Sequence, residues 1–213
     1  MKKLQAFNMV EIMIVVCLLV TTVILCLPII FNNSKEARII AGWKRLYTEA
    51  ETNFEVFNVG DMERIQSVCS SNIEDKEPEI YKIIAPYLNI DLSKNTKNLK
   101  YYHYRFKNGA QVPMQSNVFT KRFAYQENGN IVGFRWLNCK CKGDEPCATA
   151  LFDMNGTKAP NRIGKDIFGI HLYRNGIKAF GAKYTNDKLE RECNNLHSNG
   201  MSCSEYYLRG GKF

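Results

Sequence analysis

The residues of this chain that could do chemistry are eight cysteines, three histidines, a loop rich in aspartate and asparagine, and one carboxylate set inside an apolar run. Cys17 and Cys26 lie in that run and read as small hydrophobes. Cys69, Cys139, Cys141, Cys147, Cys193 and Cys203 form an even set, which reads as disulfides if the domain stands outside the cytoplasm. Zinc is the rival, but no C-x-x-C pair occurs and Cys139-x-Cys141 is tighter than zinc spacing. The stretch "DMNGTKAPNRIGKDIF" offers Asp153, Asn155 and Asp166 as candidate oxygen ligands for calcium, with Gly156 and Gly164 allowing sharp turns. It lacks the third acidic position and closing Glu of an EF-hand, so an Asx-rich turn is the competing reading.

His103, His171 and His197 fall in no H-E-x-x-H arrangement, and neither a G-x-S-x-G nor a phosphate-cradling glycine loop is present. The sequence therefore predicts no enzyme and no cofactor beyond the candidate calcium. "KNTKNLKYYHYRFKNG" interleaves basic and aromatic residues, and strand alternation would put Tyr101, His103, Arg105 and Lys107 on one face. That makes DNA a candidate partner, weighed against tyrosines packing in a sheet and lysines on a solvated face. The net charge of +8 permits acidic partners without naming one.

These residues need a scaffold, and the 213-residue length allows one globular head with a real core after the apolar segment. From Met9 to Phe31 only Glu11 and two threonines interrupt the apolar run. Such a helix would span a bilayer core, and a carboxylate inside it needs a partner or a reason. After Asn32, Asn33 and Ser34, the residues Ile39, Ile40, Trp43, Leu46, Tyr47, Ala50, Phe54 and Phe57 recur at three- and four-residue spacing, predicting an amphipathic helix over 32–58. A polar loop and a short helix near Ile80 to Leu88 come next. "KYYHYRF", "VFTKRFAY", "IVGFRWL", "ATALFDM", "IFGIHLY" and "EYYLR" then read as strands, several ending at Asn-Gly turns. The predicted class is α+β: a long N-terminal transmembrane-plus-amphipathic helix packed on an antiparallel sheet within a head over 59–213.

Three readings of the N-terminus compete. A secretory signal peptide is disfavoured because the run is too long and no A-x-A site precedes Pro28. A plain membrane anchor accounts for the length but gives Glu11 no role beyond snorkelling at a membrane surface. The third reading rests on Lys2-Lys3-Leu4-Gln5-Ala6 followed by Phe7-Asn8-Met9-Val10-Glu11 and the apolar run, which resembles the class III leader of type IV pilins and type II secretion pseudopilins. Ala6 stands where that family usually has Gly.

The resemblance implies a leader over 1–6, cleavage between Ala6 and Phe7 by a prepilin peptidase, and methylation of the new amine. It implies a transmembrane and polymerisation helix over 7–31, kinked at Pro28, with Glu11 pairing to the Phe7 amine of a neighbouring subunit. Expected partners are further copies and related pilins in a filament, and an inner-membrane assembly platform. The expected location is the inner membrane, single-pass, with an extracytoplasmic head that enters an extracellular or periplasmic filament. Many pilins also close a loop near the C-terminus with a disulfide. That agrees with Cys193 and Cys203 standing ten apart across "NNLHSNGMS", with Cys141 and Cys147 as a second pair. Cross-pairing of Cys193 or Cys203 with Cys69, or with the cluster at Cys139, Cys141 and Cys147, is the alternative.

Overall fold

A computed structural model describes residues 9–56, 65, 67, 73–97, 99, 102–113 and 122–212, the side chains of 25–33 and 73–78 excepted. Ala6, Phe7 and Cys69 lie outside these residues, as does the side chain of Pro28. The chain divides into two compact units, Met1–Arg38 and Ile39–Phe213. Helix α1 runs over Met9–Glu55.

In the first unit, the Met9–Ile24 stretch of α1 is apolar on every side, with Glu11, Thr21 and Thr22 as its polar residues. The large apolar residues from Met9 to Ile24 are between 51% and 78% exposed. Thr21 and Thr22 return their hydroxyls to the carbonyls of Leu18 and Leu19 at 2.8–3.0 Å, which satisfies them within the helix. The transmembrane helix expected over 7–31 is corrected here: among the described residues no helix is long and apolar enough to cross a membrane. The described apolar side chains cover Met9 to Ile24, about 24 Å of helix against a hydrocarbon core of roughly 30 Å, and the next described ones include Lys35, Glu36 and Arg38.

In the second unit the three- and four-residue spacing of α1 becomes one buried face: Trp43, Leu46, Ala50 and Phe54 are all under 9% exposed. Helix α2, Ile73–Ile84, continues as a 3-10 turn over Ala85–Leu88 that ends on Asn89 in the left-handed region. A five-stranded antiparallel meander follows: β1 Phe123–Tyr125, β2 Ile131–Trp136, β3 Ala148–Asp153, β4 Ile167–Tyr173 and β5 Gly176–Ala179. Helices α3, Asn186–Asn194, and α4, Cys203–Leu208, close the fold.

Every residue of β3 is buried, because the sheet is covered on both faces. On one face Val132, Phe134, Ala150, Phe152, Phe168 and Ile170 join the α1 residues in the main core. Trp43 is its hub, with Phe168 at 5.1 Å and Phe152 at 6.2 Å between ring centroids, and its indole N–H donates to the Ser204 carbonyl at 2.8 Å. On the other face Leu151 and Ile167 cluster with Ile163 and Phe180 under Tyr102, Tyr104 and Phe106.

Among the described residues two predicted strands do not form. "EYYLR" is helical within α4, where Cys203 and Tyr207 are buried four residues apart and Glu205 pairs with Arg209 at 2.7 Å, the spacing of a helix. Over 102–106 the expected alternation is present, with Tyr102, Tyr104 and Phe106 turned inward, but Arg105 makes only isolated bridges to Gln111 and Arg162. The segment covers the sheet's second face, so it has no strand edge along which to build a ladder.

Candidate functional site

Two places hold the residues that could act: the start of α1 and a buried polar knot on the second face of the sheet. Glu11 stands in the first turn of α1, where a carboxylate suits the positive end of the helix dipole, and its residue is solvent-exposed. Cys17, in the same segment, is a free thiol on the surface.

The knot is built by the end of β3, the loop that follows, and the start of β4. Asp153 closes β3 and Asp166 immediately precedes β4, so strand pairing fixes both. Asp153 is 2% exposed and Asp166 fully buried. Oδ1 of Asp153 accepts the Asn155 amide at 3.0 Å, and its Oδ2 accepts the Tyr102 hydroxyl in a short hydrogen bond. Asp166 accepts the Arg162 amide on Oδ1 at 2.6 Å, and the Asn161 amide at 2.8 Å and Asn155 Nδ2 at 3.0 Å on Oδ2. Asn155 thus joins the two aspartates.

Burial dominates the electrostatics. It pushes the Asp153 carboxyl up to about 7, opposed by the donors from Tyr102 and Asn155 and reinforced by nearby Asp166. The Asp166 carboxyl is raised by burial too, against its amide donors. The Tyr102 hydroxyl is pushed far up by burial and by the facing Asp153.

Asp153, Asn155 and Asp166, the candidate calcium ligands, do meet, but as a latch of protein hydrogen bonds. Each carboxylate oxygen already accepts from a protein donor, and among the described residues of the knot Asn155 Oδ1 and Asn161 Oδ1 are the buried polar atoms without a partner. Calcium takes six to eight oxygens at roughly 2.3–2.6 Å. Among the described residues no group of three His, Cys, Asp or Glu is placed to hold a metal ion. Tyr102 completes this knot, and sequence reasoning missed it. The signal available was the Tyr102, Tyr104, Phe106 alternation, which marks a buried face.

Three residues of the candidate DNA face lie among the described residues. His103 and Arg105 are exposed, but Lys107 is half-buried, donates to the Cys193 carbonyl, and has its ammonium pushed down by burial. Tyr101 lies outside the described residues.

The cysteines are paired Cys193 to Cys203 and Cys141 to Cys147, with Cα atoms 5.0 Å and 5.1 Å apart, and Cys139 is disulfide-bonded as well. The Cys193–Cys203 loop is further held by the turn at 107–108. There the Lys107 and Asn108 amides donate to the carbonyls of Asn199 and Ser198, and Asn108 Nδ2 donates to that of His197. No family model, curated protein or solved structure matches this chain.

Proposed function

We propose that this chain is a structural subunit of a type IV pilin-like or pseudopilin-like filament, in which the apolar segments of neighbouring copies cover one another. The carrying observation is the stretch Met9–Ile24: helical, apolar on all sides, at least half exposed at every large side chain, with Glu11 as its one carboxylate. An apolar surface of that extent does not remain in water, and a helix apolar all round is one meant to be surrounded. Copies of the same segment supply a matching surface, and the internally satisfied Thr21 and Thr22 hydroxyls allow its burial. Glu11 then has a role in register: cleavage before Phe7 frees an amine one helical turn away, and a carboxylate of one copy facing the amine of the next fixes their stagger. The disulfides support a head that matures in an oxidising compartment.

Co-expression with a prepilin peptidase and an assembly system tests this. Mass spectrometry should find a chain beginning at Phe7, and Glu11→Ala should be cut normally yet appear in sheared filaments at a small fraction of the parent's level. A chain still beginning at Met1, or Glu11→Ala filaments at parental yield, would refute the proposal.

A further inference from the structure

Toward the other end of β4 from the polar knot, the second face of the sheet carries a cavity of about 290 Å³ that neither Glu11 nor the aspartates explain. It is walled by His171 of β4, by Phe180 and Lys183 just after β5, and by Met201 and Ser202 of the disulfide loop. Two of these residues hold buried polar atoms with no hydrogen-bond partner, Nδ1 of His171 and Oγ of Ser202, and Ser202 as a residue is 2% exposed. Native proteins leave few such atoms without an external partner.

The charges around the cavity have one sign to spare. The one carboxylate in its wall, Glu192, is engaged by Lys188 at 3.8 Å. The Lys183 ammonium makes no ion pair and no hydrogen bond among the described residues. Burial and Lys183 both push the His171 imidazole down, to about 4, so at neutral pH it is uncharged and carries one N–H. Its ring lies 4.4 Å from that of Phe180, which with Met201 gives the cavity an apolar wall.

The walls are held in place independently of any occupant. Gly181 has φ +95°, and a Cβ there would come within 2.9 Å of Ser202 Cα and 3.0 Å of Leu189 Cδ2, so the turn after β5 is pressed against the disulfide loop. The Cys193–Cys203 bridge ties both ends of that loop.

We propose that this cavity binds a small carboxylate with an apolar body, the carboxylate taking hydrogen bonds from Lys183, Ser202 and His171 while the body lies against Phe180 and Met201. A cation would meet Lys183, and a neutral apolar molecule would leave both orphaned polar atoms unanswered. A carboxylate answers both and neutralises the lysine, and one charged group anchored over an apolar wall is the usual economy of small-molecule sites. The site is independent of the filament reading.

The test is a titration of the full-length protein in mild detergent at pH 7, with histidines labelled at Cε1 for NMR. Benzoate serves as the probe, and benzyl alcohol and inorganic phosphate serve as comparators at matched ionic strength. The expected result is a saturable shift of the His171 resonance with benzoate, a rise in the His171 titration midpoint when it is bound, and no movement of His103 or His197. Lys183→Gln, at an exposed position that the fold does not need, should weaken benzoate about tenfold, the loss of one charge-assisted hydrogen bond. Ser202→Ala should also weaken it. No saturable shift, equal binding of benzyl alcohol, a response to phosphate alone, or benzoate binding unchanged in Lys183→Gln would each overturn the proposal.

Discussion

Asp153→Asn should make the protein more stable at pH 8, with a gain over the parent that grows from about pH 4 to about pH 7. The Asp153 carboxyl titrates at about 7 in the fold, chiefly because burial disfavours its charge. An aspartate in an unfolded chain titrates near about 3.9. Below about 3.9 the group is protonated in both states and costs nothing. As pH rises through this window the unfolded chain releases its proton while the folded one keeps it, so this group's contribution to stability falls at about 1.36 kcal/mol per pH unit and levels off above about 7. The full loss is about 4 kcal/mol, a large share of a marginal stability. Asparagine keeps the shape, its Oδ1 accepting from the Asn155 amide and its Nδ2 donating to the Tyr102 hydroxyl oxygen, and it carries no charge to bury. Exposed Asp91, lowered chiefly by the Ser93 hydroxyl, and the His171 imidazole, pushed down to about 4 by burial, slope the other way and are common to parent and variant, whereas Asp166, raised by burial, also loses the repulsion of the Asp153 charge in the variant, which adds to the difference. The assay is denaturation followed by the fluorescence of Trp43 and Trp136, both buried, from pH 4 to 8. Equal slopes in parent and variant, or a variant less stable at pH 8, would refute the reasoning.

Other outcomes are as specific. Replacing both Cys193 and Cys203 by alanine should cost about 3 kcal/mol in the chain-entropy account of a ten-residue separation, read as a lower melting temperature. Millimolar calcium should leave the melting temperature within error of that in chelator, since the oxygens of Asp153 and Asp166 are already occupied by protein donors; a rise abolished by Asp153→Ala would show that the knot opens to a metal. Gly169→Ala should destabilise by about 1–3 kcal/mol, because a Cβ there would meet the Phe180 ring at 2.3 Å, and calorimetry would show it.

The sheet was legible because its strands are bounded by turn residues and dense in β-branched and aromatic side chains, as in "IVGFRWL" and "IFGIHLY". Their register follows from the same alternation: Val132, Phe152 and Phe168 stand side by side on the Trp43 face. "EYYLR" misled because two adjacent tyrosines suit a strand locally, whereas burial of Cys203 with Tyr207 and the Glu205–Arg209 pair have the four-residue spacing of a helix. Helix α3 offered a weak signal, Leu189 and Cys193 four apart amid charged residues, and was missed. The loop aspartates stood out by type, but their role did not. That Tyr102, fifty-one residues earlier, would cap Asp153 is set by how the chain crosses the sheet, which no local pattern encodes.

The indole bond from Trp43 to Ser204 has a temporal meaning as well as a structural one. It joins residues 161 apart in sequence, and the aromatic partners of Trp43 on β3 and β4 are themselves more than a hundred residues downstream. A ribosome releases Trp43 long before any of them, so this part of the α1 face waits for the sheet until most of the chain has been synthesised, although Phe54 at its other end can already meet Tyr87. Closing so long a loop is slow, and the interval leaves an aggregation-prone face exposed. Folding of this head is therefore an event that follows synthesis, with the last helix as the piece that completes it, and a nascent chain of this kind is a natural client for a holding chaperone.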